Sequence, residues 1–232
     1  MGLVKFGGGV AGISGKVGGS VYARNKSGSY VRNWAKPVNP NTSRQQQARN
    51  NLSAMAEYWS GTLTAAQRTA WDLYASNVPV LNRLGESINL SGFNMFCRSN
   101  AAILAVGGDV VPDGPTIFSL PEEDPTMSAA ISAASQEISV SFDDSLAWAN
   151  EEGGYLSVQV GQPQIASKSF FAAPYRYAGK VEGDGATPPT SPAAIALPYV
   201  VSAGQKVWVK VRVIRADGRI SEPFQRIITA AS

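Results

Sequence analysis

The sequence predicts an α+β, multidomain protein: an extended Gly-rich N-terminal arm with a β-hairpin, a small three-helix domain, and a C-terminal β-sandwich. Three observations carry that reading. Residues 42–105 repeat apolar side chains at helical spacing behind capping signals. Residues 126–232 run as alternating, β-branched stretches punctuated by turn formers, and eight glycines crowd residues 1–19. The expected boundaries are 1–40 for the basic arm and hairpin, 41–108 for the helices, 109–125 for a Pro-rich acidic linker, and 126–232 for the sandwich.

Glycine at that density opposes a packed element and suits an arm that orders against something else. Gly7-Gly8-Gly9-Val10-Ala11-Gly12 fits G-x-G-x-x-G in form only. No strand has room to precede it and no acidic residue follows at ribose distance, so it predicts no dinucleotide site. Next comes the hairpin, Ser20-Val21-Tyr22-Ala23-Arg24, a turn Asn25-Lys26-Ser27-Gly28, and Ser29-Tyr30-Val31-Arg32-Asn33-Trp34. Alternation puts Tyr22 and Arg24 together on the first strand and Tyr30, Arg32 and Trp34 together on the second, predicting one ladder of rings and guanidinium groups. With the flanking lysines, the candidate partner-binding set is Lys16, Tyr22, Arg24, Lys26, Tyr30, Arg32, Trp34 and Lys36. Pro37 and Pro40 end the strand.

Thr42 with Gln45, and Thr64 with Gln67, have capping-box spacing for two helices. The first places Leu52, Met55, Ala56 and Trp59 on one face, and the second carries Ala70, Trp71, Tyr74 and Ala75. Joined at Gly61, they predict an αα-hairpin. Residues 82–90 read as a loop or short ribbon turning at Gly85. Ser91 caps a third helix with Phe93, Phe96, Cys97, Asn100, Ala101 and Leu104 at helical spacing, closed by Gly107-Gly108.

Pro112, Pro115, Pro121 and Pro125 around Glu122-Glu123-Asp124 suit an extended linker whose carboxylates are solvated. Eight strands are then expected: 127–133, 136–142, 155–161, 167–175, 176–181, 193–197, 206–215 and 219–230. In Val207-Trp208-Val209-Lys210-Val211-Arg212-Val213 the odd positions read as core and the even ones as a solvent or partner face.

Composition narrows the chemistry. The chain contains no histidine and one cysteine, which excludes Ser-His-Asp and Cys-His nucleophiles, a His-bearing zinc site and a His general base. Cys97 reads as a buried structural thiol, and the adjacent pairs Asp143-Asp144 and Glu151-Glu152 as wet turn carboxylates. No enzyme activity, cofactor or metal is expected. No run reaches the length of a bilayer span and no signal core follows Met1, so the expectation is a soluble protein with no membrane partner.

The net charge of +3 hides segregation: residues 1–50 carry eight basic and no acidic groups, while residues 101–150 carry eight acidic and no basic ones. Such asymmetry predicts an interaction arm meeting an acidic surface of its own or a neighbouring subunit, or of a separate partner. Nucleic acid is disfavoured, because helix-turn-helix and solenoid signatures are absent and a pI near 9.0 is only mildly basic.

Two resemblances add to this. Val207-x-Val209-x-Val211-x-Val213 with Ala216-Asp217-Gly218-Arg219-Ile220-Ser221-Glu222-Pro223 resembles the last two strands of a fibronectin type III domain, and Ile138-Ser139-Val140-Ser141-Phe142 resembles its second strand, which implies an Ig-like sandwich. Gly15-Lys16-Val17-Gly18, Tyr30-Val31-Arg32, Pro37-Val38-Asn39-Pro40-Asn41-Thr42, Gln47, Arg49 and Leu63-Thr64-x-x-Gln67-Arg68-x-Ala70-Trp71 are similar to proteins of tailed bacteriophages and prophages. That resemblance implies a virion structural role, with a major capsid protein or another virion protein as partner and a homo-oligomer in the particle, assembled in the host cytoplasm. Three placements stay open: capsid decoration or cement, tail or neck, and a nucleic-acid-binding protein using the basic arm.

Overall fold

The computed structural model describes residues 2–25, 28–82 and 84–232. Most of its regular structure is strand, arranged in several sheets, with three helices. Strands β1 (Gly2–Leu3), β2 (Gly15–Val17), β3 (Ser20–Asn25) and β4 (Gly28–Asn33) form an antiparallel sheet in the order β1-β4-β3-β2. The Gly-rich arm is thus more than an extended tether, because it adds a strand to each edge of the hairpin. Val17 pairs with Ser20 across a two-residue turn in which Gly18 has φ +57, a left-handed conformation cheap only for glycine.

Helix α1 (Ser43–Glu57) starts at the reciprocal Thr42–Gln45 capping box and continues into a π-helical turn, Tyr58–Thr62. Helix α2 (Ala65–Asn77) starts at the matching Thr64–Gln67 box, and the Ser91 hydroxyl accepts from Asn94 N–H to begin α3 (Gly92–Ala105). Between α2 and α3, β5 (Val80–Leu81) and β6 (Ser87–Ile88) form the expected ribbon, with Gly85 at φ +78.

The helices do not assemble as the αα-hairpin expected: α1 and α2 each pack on α3. Phe96 of α3 is the reason. Its ring lies 6.1 Å from Tyr58, 5.5 Å from Trp59 and 5.5 Å from Trp71, so the aromatics of both other segments converge on it. Met55 is the one buried residue of α1 among those described, and Leu52, expected inside, is 57% exposed. In α3 the buried stripe is Met95, Phe96, Ser99, Asn100 and Ile103, so Phe93, Leu104 and Cys97 are half-buried and Ala101 is exposed. Burial raises the Cys97 thiol pKa.

Seven strands follow where eight were expected: β7 (Ser128–Ser132), β8 (Glu137–Ser141), β9 (Tyr155–Gly161), β10 (Tyr175–Glu182), β11 (Ala193–Ala196), β12 (Lys206–Ile214) and β13 (Phe224–Thr229). They make two antiparallel sheets, β11-β8-β7 and β10-β9-β12-β13. One apolar cluster joins them, with Ile131, Ile138, Val140 and Ile195 from the first and Leu156, Val158, Val160, Val207, Val209 and Val211 from the second. The odd-numbered valines of β12 are core, as the alternation predicts.

The even face of β12 is not open, which corrects the solvent or partner reading. Residues 167–174 form no strand and instead lay Phe171 over Trp208, ring centroids 5.5 Å apart. At the other end Ile214 packs with Ile220, with Tyr155, with Ile103 of α3 and with its C-cap Val106. Nor is the Pro-rich segment merely solvated. Trp71 Nε1 donates to Pro112 O at 2.9 Å, and the Asn100 amide exchanges hydrogen bonds with both backbone groups of Val111. Asp124, read as a wet carboxylate, is buried and accepts from Thr126 N–H, Thr126 Oγ1 and Asp143 N–H at 2.7–2.8 Å. Three donors replace the water that burial removes.

Candidate functional site

From Gly2 to Ala54 no described residue is buried. The β1–β4 sheet therefore has neither face covered by its own chain. Its β1 edge is held by Val4 N–H donating to Ser29 O and by an ion pair from Lys5 to Glu86 beside the β5–β6 ribbon.

The register sorts the candidate residues differently from the single ladder expected. Arg24 lies opposite Ser29, Tyr22 opposite Val31, Ala23 opposite Tyr30 and Val21 opposite Arg32. Directly opposed residues share a face. Tyr22 and Arg24 therefore occupy one face, while Tyr30, Arg32 and, by alternation, Trp34 occupy the other. The register, with Asn25 opposite Gly28, pairs even positions with odd ones, which is why the ladder splits.

Lys16 pairs with Val21 and so joins the Arg32 face, where its ammonium lies 4.1 Å from the Trp34 ring centroid. The Trp34 backbone N–H donates to Gly19 O at 2.7 Å, fixing a side chain that is 58% exposed. Tyr22 and Tyr30 are half-buried, and Arg24, Arg32 and Lys36 are exposed. Lys26 lies outside the described residues. The structure thus brings Lys16, Tyr30, Arg32 and Trp34 together, sets Tyr22 and Arg24 behind them, and leaves Lys36 beyond the sheet.

Sequence reasoning missed the apolar residues exposed with them: Val17 at 60%, Val38 at 87% and Leu52. Val17 and Val38 lie among glycines and prolines, where periodicity says nothing. Three polar residues beyond the hairpin act as locks. Arg49 donates to Asn39 Oδ1 at 2.8 Å and Asn41 Oδ1 at 3.1 Å, pinning the proline hinge to α1. Gln67 donates to Asp113, and Arg68 donates to Trp59 O at the π-turn.

Elsewhere the concave features are small. One cavity of about 280 Å³ is lined by Leu120, Glu122, Trp148, Arg215 and Arg219 among others, and its arginines are engaged by Glu151 and Asp217. Among the described residues no group of three or more His, Cys, Asp or Glu could hold a metal ion. No described helix is long and apolar enough to cross a membrane.

No protein-family model and no curated protein matches the chain. In structure it is distantly similar to a family 76 glycoside hydrolase from a bovine Bacteroides thetaiotaomicron strain, at 13% identity over 49% of this chain and 21% of that one, TM-score 0.34. It is similar also to the spore cortex lytic enzyme SleM of Clostridium perfringens, at 17% identity over 47% and 28% of the two chains, TM-score 0.29. A third is the adhesin domain of Epf from Streptococcus pyogenes, at 11% identity over 49% and 33%, TM-score 0.30. The chain thus spans a third or less of the length of each, and at these scores the likenesses decide nothing about its activity.

Proposed function

We propose that the chain is a non-enzymatic bacteriophage virion structural protein, a capsid decoration or cement protein that docks on the shell through its N-terminal part. Residues 126–232 then project as an Ig-like, fibronectin III-like module. Two features support that module: residues 138–142, the stretch resembling a second strand, overlap β8, the second of the seven, and residues 207–213 fall on β12, with residues 216–223 forming the connection that leads into β13.

The observation that carries the docking role is the N-terminal part, in which no described residue before Met55 is buried and the hairpin strands are at most half-buried. A small sheet with no buried face gains little to offset the entropy of ordering it, so it is stabilised when a partner covers it. Each face of the sheet offers a partner an exposed cation beside a ring, Arg24 with Tyr22 on one and Arg32 and Lys16 with Trp34 on the other, and Trp, Tyr and Arg are the side chains enriched at protein interfaces.

The test is location by electron microscopy of the particle. Decoration of the capsid requires hundreds of copies on the shell; a few copies confined to the neck or tail would move the protein there, and absence from the particle would end the proposal.

A further inference from the structure

Two surfaces of this chain are complements that do not meet within one copy. Residues 1–50 hold eight cations and no carboxylate. Among the described residues only Lys5 of these pairs with an acid, that of Glu86, while Lys16 rests on Trp34 and Arg49 is spent on two asparagines. The face carrying Lys16, Tyr30, Arg32 and Trp34 is therefore cationic, aromatic and uncompensated.

The complementary acidic surface is gathered by buried Asp124. Its carboxylate accepts from Asp143 N–H at 2.8 Å, which brings Glu122 and Glu123 alongside Asp143 and Asp144. Glu122, Glu123 and Asp144 are exposed, and no described cation pairs with any of these four. A few residues upstream, Ile117 and Phe118 are 51% and 46% exposed. This surface is acidic with an apolar neighbour, as the hairpin face is basic with one.

We propose that the Lys16–Tyr30–Arg32–Trp34 face of one copy docks on the Ile117–Glu123 and Asp143–Asp144 surface of a second copy. Trp34 meets the apolar pair, and Lys16 and Arg32 meet the carboxylates around it, the arrangement of an apolar centre inside a charged rim. The two surfaces differ, so the contact is head-to-tail and extends into a ring or an open array instead of stopping at a symmetric dimer. Tyr22 and Arg24, on the reverse face, stay free for another partner. This inference stands or falls apart from the virion role, since it concerns the purified chain.

Sedimentation velocity of the full chain at roughly 50 mM and 500 mM salt tests it, because screening at the higher strength weakens such a contact. Wild type should assemble beyond dimers at low salt and dissociate at high salt. K16E/R32E and E122K/E123K/D144K should each weaken self-association by about tenfold or more. Mixing these two variants restores opposite charges across the contact and should restore assembly, and R24E should behave as wild type. All the exchanged residues are exposed, so unchanged thermal melts establish folding. A wild type that stays monomeric, assembly indifferent to both reversals, or a mixture that fails to assemble overturns the inference. So does a monomeric chain that instead binds duplex DNA tightly at about 150 mM salt.

Discussion

Replacing Trp71 by alanine tests the packing account most severely, because three parts of the chain meet on this side chain. It is fully buried on α2, its ring lies edge-on to Phe96 at 5.5 Å, and its indole N–H is bonded to Pro112 O. From the other side comes the β12–β13 turn, where a Cβ built on Gly218 would sit 3.2 Å from Trp71 Cη2. Losing a buried indole costs about 3–5 kcal/mol through transfer and cavity terms. Orphaning the Pro112 carbonyl adds roughly 1 kcal/mol when water cannot reach it. Trp71→Phe separates the two, keeping most of the ring packing while removing the donor, and should cost about half as much. Urea unfolding followed by far-UV circular dichroism reads both. A Trp71→Ala protein with an unchanged midpoint would refute the reasoning, since no buried keystone of this size can be removed without a penalty.

Other consequences are as direct. Burial pushes the Tyr74 hydroxyl up to about 12 from its ordinary value near 10, against the opposing pull of Arg219 and Arg98. The unfolded chain therefore releases that proton first, so the contribution to stability is present below pH 10 and is lost as pH rises from 10 through about 12. Tyr74→Phe should remove that slope from a pH series of melts, and an unaltered slope would show that other groups cause it. Gly114→Ala should destabilise by at least about 1 kcal/mol, because its Cβ would lie 2.6 Å from the Ala70 carbonyl carbon and 2.7 Å from Trp71 N, both backbone atoms that cannot swing aside. Asp124→Ala should cost about 2–3 kcal/mol by stripping the acceptor from Thr126 and Asp143; a neutral result in thermal unfolding would place water at those donors.

How much of this was legible in the sequence depends on the range of the interaction. Both capping boxes, the three helix starts, the Gly85 ribbon and the β12 valines follow from contacts within a few residues, and they stand in the structure as read. Burial of Trp71 and Tyr74 also followed from helical spacing. The misreadings share a different cause. Leu52 has good helical spacing, but which face of α1 is covered depends on where Phe96 of α3 lies. Trp208 and Ile214 sit on the even face of β12, covered by Phe171 and α3, partners that alternation cannot name. Asp124 is buried because Thr126 and Asp143 donate to it, and Asp143 is distant in sequence. At the candidate site the residue types were readable, whereas their division between two faces needed the register, which one turn residue more or less would have inverted.

The most direct measurement on the central claim is particle occupancy of a chain lacking residues 1–36. Every buried residue described lies beyond that segment, so the shortened protein should keep the wild-type melting transition. Virions assembled with it, compared with wild type by cryo-electron microscopy and quantitative mass spectrometry, should carry almost none of it. Wild-type occupancy by the shortened chain would contradict the docking role.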